Sequence, residues 1–238
     1  VDKLLQSARL LTLYGAGGIG KTRLSLQAAA GVLDRHPDGV WFVDLAPLSD
    51  QRLVPQAIAS VLGVKETSGR PVIEAVLRFV QDRSLLIVLD NCEHLVAACA
   101  EVAHQLLQAG PQVRILASSR EPLHVGGEVT YPVPPLPTPD ADAELPLEHL
   151  SQFESVRLFT DRATAARPGF AVTAQNVARI AEICRRLDGL PLAIELAAAC
   201  VRSMSVEQIA LHLSDRFKLL AGGDRSALGL FHDGDIDR

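Results

Sequence analysis

The sequence predicts an α/β fold in the first half of the chain, a parallel sheet with helices on both faces. It predicts a small all-helical bundle in the second half. Two observations lead to this fold class. Short apolar runs alternate with longer helix-like stretches between residues 10 and 133. A segment rich in proline and acidic residues then interrupts the alternation, and the chain beyond it has helical periodicity.

The elements of the first half follow from the length and composition of these runs. We expect strands at residues 10–14, 40–45, 85–89 and 113–117, with an edge-like strand at 129–133. We expect helices at residues 21–33, 53–62, 71–81 and 95–108. Continuous apolar strands that alternate with helices are typical of a parallel sheet covered on both faces.

The predicted domain boundary lies among six prolines between residues 132 and 146. Proline removes backbone donors and disfavours helix in the residue before it, so this stretch is interpreted as an extended linker. The expected organisation is an α/β domain at 1–133, a linker at 134–148, a helical domain at 149–222 and a flexible tail at 223–238.

The second half is expected to form a bundle of roughly four helices, with clear signals in three places. Ser151 with Glu154, and Ser205 with Gln208, have the spacing of capping boxes that open helices. Residues 190–201 are apolar almost all round, which predicts a buried central helix.

Residues 15–22 read GAGGIGKT and match the P-loop pattern G-x-x-x-x-G-K-[ST] in full. The backbone N–H groups of such a loop converge on phosphate oxygens, and its glycines let the backbone approach the anion closely. Lys21 is expected to reach the β- and γ-phosphates, and the Thr22 hydroxyl to ligate Mg²⁺. The strand before the octet and the helix after it fit a P-loop NTPase fold. The candidate nucleotide-binding residues here are Gly15, Gly17, Gly18, Ile19, Gly20, Lys21, Thr22 and Arg23. For Arg23 the alternative is that it lies on the face of the following helix and does not contact the nucleotide.

Asp90 ends the apolar run 85–89, at the sheet edge where ligands of open α/β sheets collect. There it could hold Mg²⁺ opposite Thr22. Asn91 follows at a place where many hydrolytic P-loop enzymes carry an acid, and an amide cannot take a proton from water at neutral pH. Glu93 could supply that acid, or could be a surface residue at a helix start. The sequence therefore favours slow turnover.

Arg120 follows the strand at 113–117 and two serines, at the same sheet edge. Its planar fork of donors suits phosphate oxygens, so it could contact the γ-phosphate and distinguish ATP from ADP. An ion pair with a nearby acid is the alternative. Lys21, Asp90 and Arg120 are the candidate catalytic residues, and Thr22 and Asp90 are the candidate metal ligands.

Charge and composition exclude several classes of function for this segment. The formal net charge is −5 and no basic block occurs, so direct contact with nucleic acid is not expected. The most apolar run, residues 190–201, is too short to span a bilayer and contains Glu195. We expect a cytoplasmic protein without a membrane contact.

Four motifs in a fixed order resemble the NB-ARC type of STAND ATPases: GAGGIGKT, LLIVLDN, ILASSR and GLPLAIELAAA. The flanking words DGVWFVDLAPL and ICRRLDGLPLAIELAAA look like the bacterial branch found in multidomain LuxR-type transcriptional regulators. The resemblance covers roughly residues 8–222. It implies that ATP or ADP binds with Mg²⁺ and that Arg120 reads the terminal phosphate. It also implies that Pro191 lies by the base or ribose, although its spacing alone indicates only a turn between helices.

The resemblance implies a switch that is closed with ADP and open and oligomer-prone with ATP. The partners it implies are an adenine nucleotide, other domains of a longer parent protein and, with ATP, other copies of the chain. The family usually carries a Gly-Arg-Glu-type motif before the loop strand and a winged-helix domain after the helical one, and these 238 residues contain neither. A domain excised from a longer regulator, or an unusually short gene product, is expected.

The function predicted from the sequence is therefore an ATP/ADP-binding regulatory switch with slow ATPase activity, in a signal-transduction or transcription-regulator protein. A nucleotide-independent interaction scaffold is one alternative. A small-molecule P-loop kinase is another, and would need an acceptor site under Arg-rich lid segments, of which no cluster is obvious.

Overall fold

The computed structural model describes residues 1–65, 69–140 and 147–221. The chain divides into two units, Val1–Pro134 and Pro135–Arg238. The strands, all in the first unit, are β1 (Leu10–Tyr14), β2 (Val40–Asp44), β3 (Leu86–Asp90), β4 (Arg114–Ser119) and β5 (Glu128–Pro132). They form one parallel sheet in the order β2-β3-β4-β1-β5, so the predicted α/β fold class is confirmed.

The helices of the first unit cover both faces of this sheet. They are α1 (Asp2–Ser7), α2 (Lys21–Ala30), α3 (Val54–Leu62), α4 (Val72–Val80) and α5 (Val96–Ala109). Alternate residues of β3 point to opposite faces and are all buried. Ile87 and Leu89 pack in the core that contains α3, α4 and α5, whereas Leu86 and Val88 pack in the core with α1 and α2.

The predicted elements of this unit differ from the structure mainly at their ends. The helix expected at 21–33 stops at Ala30, because Gly31 caps it and a separate 3₁₀ turn follows at Leu33–Arg35. The edge-like strand is present as β5, paired in parallel with β1. Its position at the sheet edge explains its half-exposed side chains.

The described part of the second unit is helical. Its helices are α6 (Leu147–Leu150), α7 (Glu154–Ala166), α8 (Val177–Arg186), α9 (Pro191–Ala199) and α10 (Val206–Ala221). Their common core includes Phe159, Ile180 and Ile194. This confirms the predicted all-helical second half.

One predicted capping box is confirmed and the other is wrong. The Ser205 N–H donates to Gln208 Oε1 at 2.8 Å, and the Gln208 N–H donates to Ser205 Oγ at 3.3 Å. Ser151 does not cap α7, which begins at Glu154. Its hydroxyl instead donates to the carbonyl oxygen of Glu148, in the preceding short helix.

The prediction that residues 190–201 form a helix buried all round is also wrong in part. Ile194 and Ala198 of α9 are buried in the helical core. Leu192 and Leu196, four residues apart on another face, are 51% and 57% exposed. Apolar composition alone could not predict that Leu192 and Leu196 are exposed, because the residues on one face of α9 are enough to fill the helical core.

The proline-rich segment contributes to the second unit where the structure describes it. The Leu136 N–H donates to the Gly189 carbonyl at 3.0 Å, and the Ser155 hydroxyl donates to the Pro137 carbonyl at 2.7 Å. Residues 141–146 and the predicted tail at 223–238 lie outside the described residues, and the limits of the linker and of the two domains stay predictions.

Within the described ranges, every helix is too short or too polar to cross a bilayer.

The Gly189–Leu136 contact generates a stability prediction. Gly189 has φ 65°, and a Cβ at this position would collide with the Leu136 carbonyl oxygen. Gly189→Ala should lower the free energy of unfolding by roughly 2–4 kcal/mol, through left-handed backbone strain and overpacking. Gly169→Ala is the matched control, because Gly169 has φ 87° but an added Cβ there meets nothing within 4 Å. Urea unfolding of both variants measures the difference, and equal losses would contradict the packing argument.

Candidate functional site

The candidate site lies where three neighbouring strands end. β3 pairs with β4, and β4 pairs with β1, all in parallel. The carboxyl ends of these strands therefore share one sheet edge, which brings the glycine-rich octet, Asp90 and Arg120 together.

The octet forms a tight loop that passes directly into α2. Gly18 and Gly20 have φ 76° and 94°, a region that other residues rarely adopt, and Gly20 is the N-cap of α2. Lys21 folds back along the loop, and its Nζ donates to the carbonyls of Gly15 at 3.0 Å and Ala16 at 3.1 Å. Burial lowers the pKa of Lys21, which is 8% exposed, and the nearby Glu93 carboxylate opposes that shift.

Asp90 is the centre of a hydrogen-bond network that joins three elements. Thr22 Oγ1, at the start of α2, donates to Asp90 Oδ2 at 2.8 Å. The Ser118 hydroxyl, at the end of β4, donates to Asp90 Oδ1 and accepts the Asn91 N–H at 3.0 Å. These hydroxyl and carboxylate oxygens are the donor types that Mg²⁺ prefers, so the set fits the predicted metal.

Arg120 and Glu93 form an ion pair above the loop. Arg120 Nε lies 3.3 Å from Glu93 Oε1, so the ion pair considered as an alternative for Arg120 is present. The guanidinium also lies beside the loop, because a Cβ built on Gly17 would be 3.5 Å from Arg120 Nη2. Glu93 Oε2 is buried and has no hydrogen-bond partner among the described residues.

The chain that leaves the sheet is tied to the start of the loop. The Val133 N–H, just after β5, donates to the Tyr14 carbonyl at 2.8 Å. The Val133 carbonyl oxygen lies close to Gly15, 3.4 Å from the place where a Cβ would stand. Val133 precedes the last residue of the first unit.

The remaining predicted site residues lie in different places. Ile19 is buried beneath the loop, and Arg23 is exposed on the first turn of α2, the position given as its alternative. Pro191 is the first residue of α9 in the second unit, and its nucleotide role stays a prediction.

Ser118 and Glu93 also belong to this arrangement. The sequence does not predict Ser118 as a site residue, and for Glu93 it leaves a site role and a surface position both open. Ser118 could have been predicted as a site residue, because it lies near the end of the strand that neighbours the strand of Asp90. For Glu93, sequence spacing could not separate a surface residue from a cleft residue.

Comparison with known proteins finds similarity to ATPase domains and to bacterial regulators. Residues 3–120 match the model of a family described as an AAA domain. The chain is 48% identical over 225 residues to a Mycobacterium tuberculosis protein named as an HTH-type transcriptional regulator, a match covering 94% of the chain and 24% of that protein. It is 28% identical over 235 residues to regulatory protein AfsR of Streptomyces griseus, covering 92% of the chain and 22% of AfsR. The chain thus spans about a quarter of the length of these relatives.

Solved structures share the fold at low sequence identity. The Aeropyrum pernix ORC2 protein, in ADPNP–ADP complexes, aligns with TM-score 0.53 and 15% identity over 90% of this chain and 64% of that one. A STAND protein with a tetratricopeptide repeat sensor from Pyrococcus horikoshii aligns with TM-score 0.51 and 14% identity, over 90% and 31%. The first unit therefore has a P-loop NTPase-like fold, whereas the NB-ARC type stays a prediction.

The network around Asp90 gives the second testable prediction. Ser118→Ala removes a donor to a buried carboxylate and the acceptor of the Asn91 N–H, which should lower the free energy of unfolding by roughly 1–3 kcal/mol. Ser119→Ala is the control, since Ser119 is equally buried but only accepts a 3.4 Å bond from the Glu121 N–H. Thermal unfolding of the two variants measures the difference. Equal losses would show that the hydrogen bonds of Ser118 do not stabilise the fold.

Proposed function

We propose that the chain is an ATP- and ADP-binding regulatory switch with slow ATPase activity, within a cytoplasmic transcription regulator. The observation that carries the proposal is the meeting of Lys21, Thr22 and Asp90 at one sheet edge, around a complete P-loop. The ADPNP–ADP complexes of the ORC2 protein support adenine nucleotides as ligands of this fold.

Lys21 fits the role of a phosphate ligand. An ammonium group has three donors, and two of them bind the Gly15 and Ala16 carbonyls. These bonds fix the side chain along the loop and leave one donor for a phosphate oxygen. The positive end of α2 adds to the attraction, because its first N–H groups have no partners within the helix.

Thr22 and Asp90 would hold Mg²⁺, with Ser118 fixing the orientation of the Asp90 carboxylate. When bound, Mg²⁺ neutralises phosphate charge and polarises the phosphoryl group. The Thr22 hydroxyl now donates to Asp90, and it would turn its lone pairs towards the metal instead.

Arg120 would distinguish ATP from ADP. Its side chain is 68% exposed and is bound to Glu93 through Nε alone, so both Nη groups can reach a phosphate beside Gly17. A terminal phosphate would compete with Glu93 for the guanidinium, and its loss would return Arg120 to the ion pair. Arg120 would thus bind the phosphate with ATP and Glu93 with ADP. A switch requires such a difference in contacts between its two nucleotide states.

Glu93 would orient the attacking water and accept its proton. Oε2 is buried without a donor in the described part of the chain, and Lys21 is close enough for the two charges to interact. A buried carboxylate oxygen without a donor is costly, and a water molecule would satisfy it. Asn91 cannot act as a base, because an amide does not accept a proton at neutral pH.

The rest of the proposal follows the resemblance and the relatives. Pro191 contacts the base or ribose, and the ATP state self-associates. Because the relatives named as regulators are about four times as long as the matched segment, other domains of the parent protein are the partners that the switch controls.

The first functional prediction concerns Lys21. Lys21→Ala should abolish binding of ADP with Mg²⁺, measured by calorimetry, because the loop loses its only cation while the fold is kept. Lys65→Ala, at an exposed residue outside the loop, should bind like the wild type. Wild-type protein that binds neither ADP nor ATP would overturn the proposed function and favour a nucleotide-independent scaffold.

A second prediction separates hydrolysis from binding. Glu93→Gln should leave the Kd for ATP within about threefold of wild type, yet lower single-turnover hydrolysis by roughly 10²-fold or more, because an amide cannot accept the proton. Glu101→Gln is the charge-matched control, at an exposed residue of α5 that binds Gln105. Unchanged hydrolysis in Glu93→Gln, with ATP still bound, would remove Glu93 from the mechanism and leave the switch proposal standing.

A further inference from the structure

A polar cavity lies at the opposite edge of the sheet from the P-loop. Its volume is about 370 Å³, within the range of roughly 300–1,000 Å³ typical of small-molecule sites. It is lined from the start of β4, the ends of α1 and α5 and the 3₁₀ turn after α2. Strands of five residues put roughly 17 Å between the two edges, so this cavity is separate from the candidate nucleotide site.

The lining of this cavity carries charge of one sign. Arg9, Arg35, His36 and Arg114 line it, and none of the described lining residues is an aspartate or a glutamate. None of the three arginines forms an ion pair with a carboxylate of the described residues. Two acids lie close to these residues along the chain. Asp34, next to Arg35, is exposed and forms no ion pair among the described residues, and Asp38 binds the Ser84 N–H at 2.7 Å and Arg83 at 3.5 Å.

Backbone carbonyls hold two of these arginines in place. Arg9 Nη2 donates to the carbonyls of Leu107 and Gly110 at 2.7 and 2.6 Å, at the end of α5. Arg114 Nη1 donates to the carbonyls of Leu5 and Ala8, at the end of α1. A carbonyl is neutral, so it orients a guanidinium without cancelling its charge. Each guanidinium keeps further N–H donors that make no bond in the described part of the chain.

His36 is the buried member of the group. It is 7% exposed, and its Nδ1 has no hydrogen-bond partner among the described residues. Burial lowers the pKa of His36, and the positive charges of Arg114 and Arg35 lower it further. A negative charge placed beside the ring would oppose these effects and favour its protonated form.

We propose that this cavity binds a small, doubly charged oxyanion, either free phosphate or the phosphate group of a small monoester. Guanidinium groups match phosphate oxygens in geometry and charge, and two of them are already oriented by the ends of α1 and α5. Protonated His36 would add a fourth positive charge beside the anion. Binding of a dianion therefore takes up a proton, and the affinity for an anion that keeps both charges, such as sulfate, rises as the pH falls.

The test follows the His36 ring in wild-type protein by NMR, with His36→Gln to assign its resonance. Sulfate is the first probe, because it stays doubly charged throughout the titration. Sodium chloride at matched ionic strength controls for general screening of the arginines. Sulfate should raise the measured pKa of His36 by about one unit over chloride, a tenfold coupling. An equal pKa in the two salts would overturn the proposal.

Two variants and two further ligands complete the experiment. Arg35→Gln, at an exposed residue that caps no helix, should weaken sulfate binding and reduce the shift. Arg70→Gln, with the same change of charge outside the cavity, should keep the shift. Tighter binding of phenyl phosphate than of inorganic phosphate would identify a monoester as the ligand, and the reverse order would identify the free ion. Because the signal is local to His36, it does not depend on whether the P-loop binds nucleotide.

Discussion

The buried carboxylate of Asp90 is the interaction on which the candidate site depends. A carboxylate taken out of water must receive hydrogen bonds, and its two described side-chain donors come from the start of α2 and the end of β4. Because Asp90 needs both hydrogen bonds, they fix the start of α2 against the ends of β3 and β4. The Asn91 N–H, satisfied by the same Ser118 hydroxyl, extends the constraint to the turn that carries Glu93.

The charges around this network are close to balanced. Two cations, Lys21 and Arg120, face two acids, Asp90 and Glu93, and each of the four has a different degree of burial. A nucleotide brings several negative charges into this set, and the most exposed member, Arg120, is bound to it by one hydrogen bond, to Glu93. The exposed Arg120 can therefore move when a nucleotide binds, whereas the buried Lys21 and Asp90 stay in place.

Sequence reasoning found the strands and the P-loop because both depend on local patterns: continuous apolar runs and a fixed glycine spacing. It placed Asp90 and Arg120 correctly at one edge because parallel strands end together. It failed where tertiary contacts decide. Ser151 has the spacing of a cap but binds Glu148, and Leu192 is apolar yet exposed. The buried Oε2 of Glu93 depends on packing between turns far apart in sequence, which no local pattern encodes.

The hydrogen bond between Val133 and Tyr14 has a mechanical consequence. The chain that leads to the second unit passes directly from this bond through Pro134, whose fixed φ makes the connection stiff. A force applied to the chain beyond Pro134 would act on Tyr14 first, and Gly15 is the next residue along. Tension at the junction would therefore reach the start of the loop, through the Val133–Tyr14 hydrogen bond and the close approach of the Val133 carbonyl oxygen to Gly15.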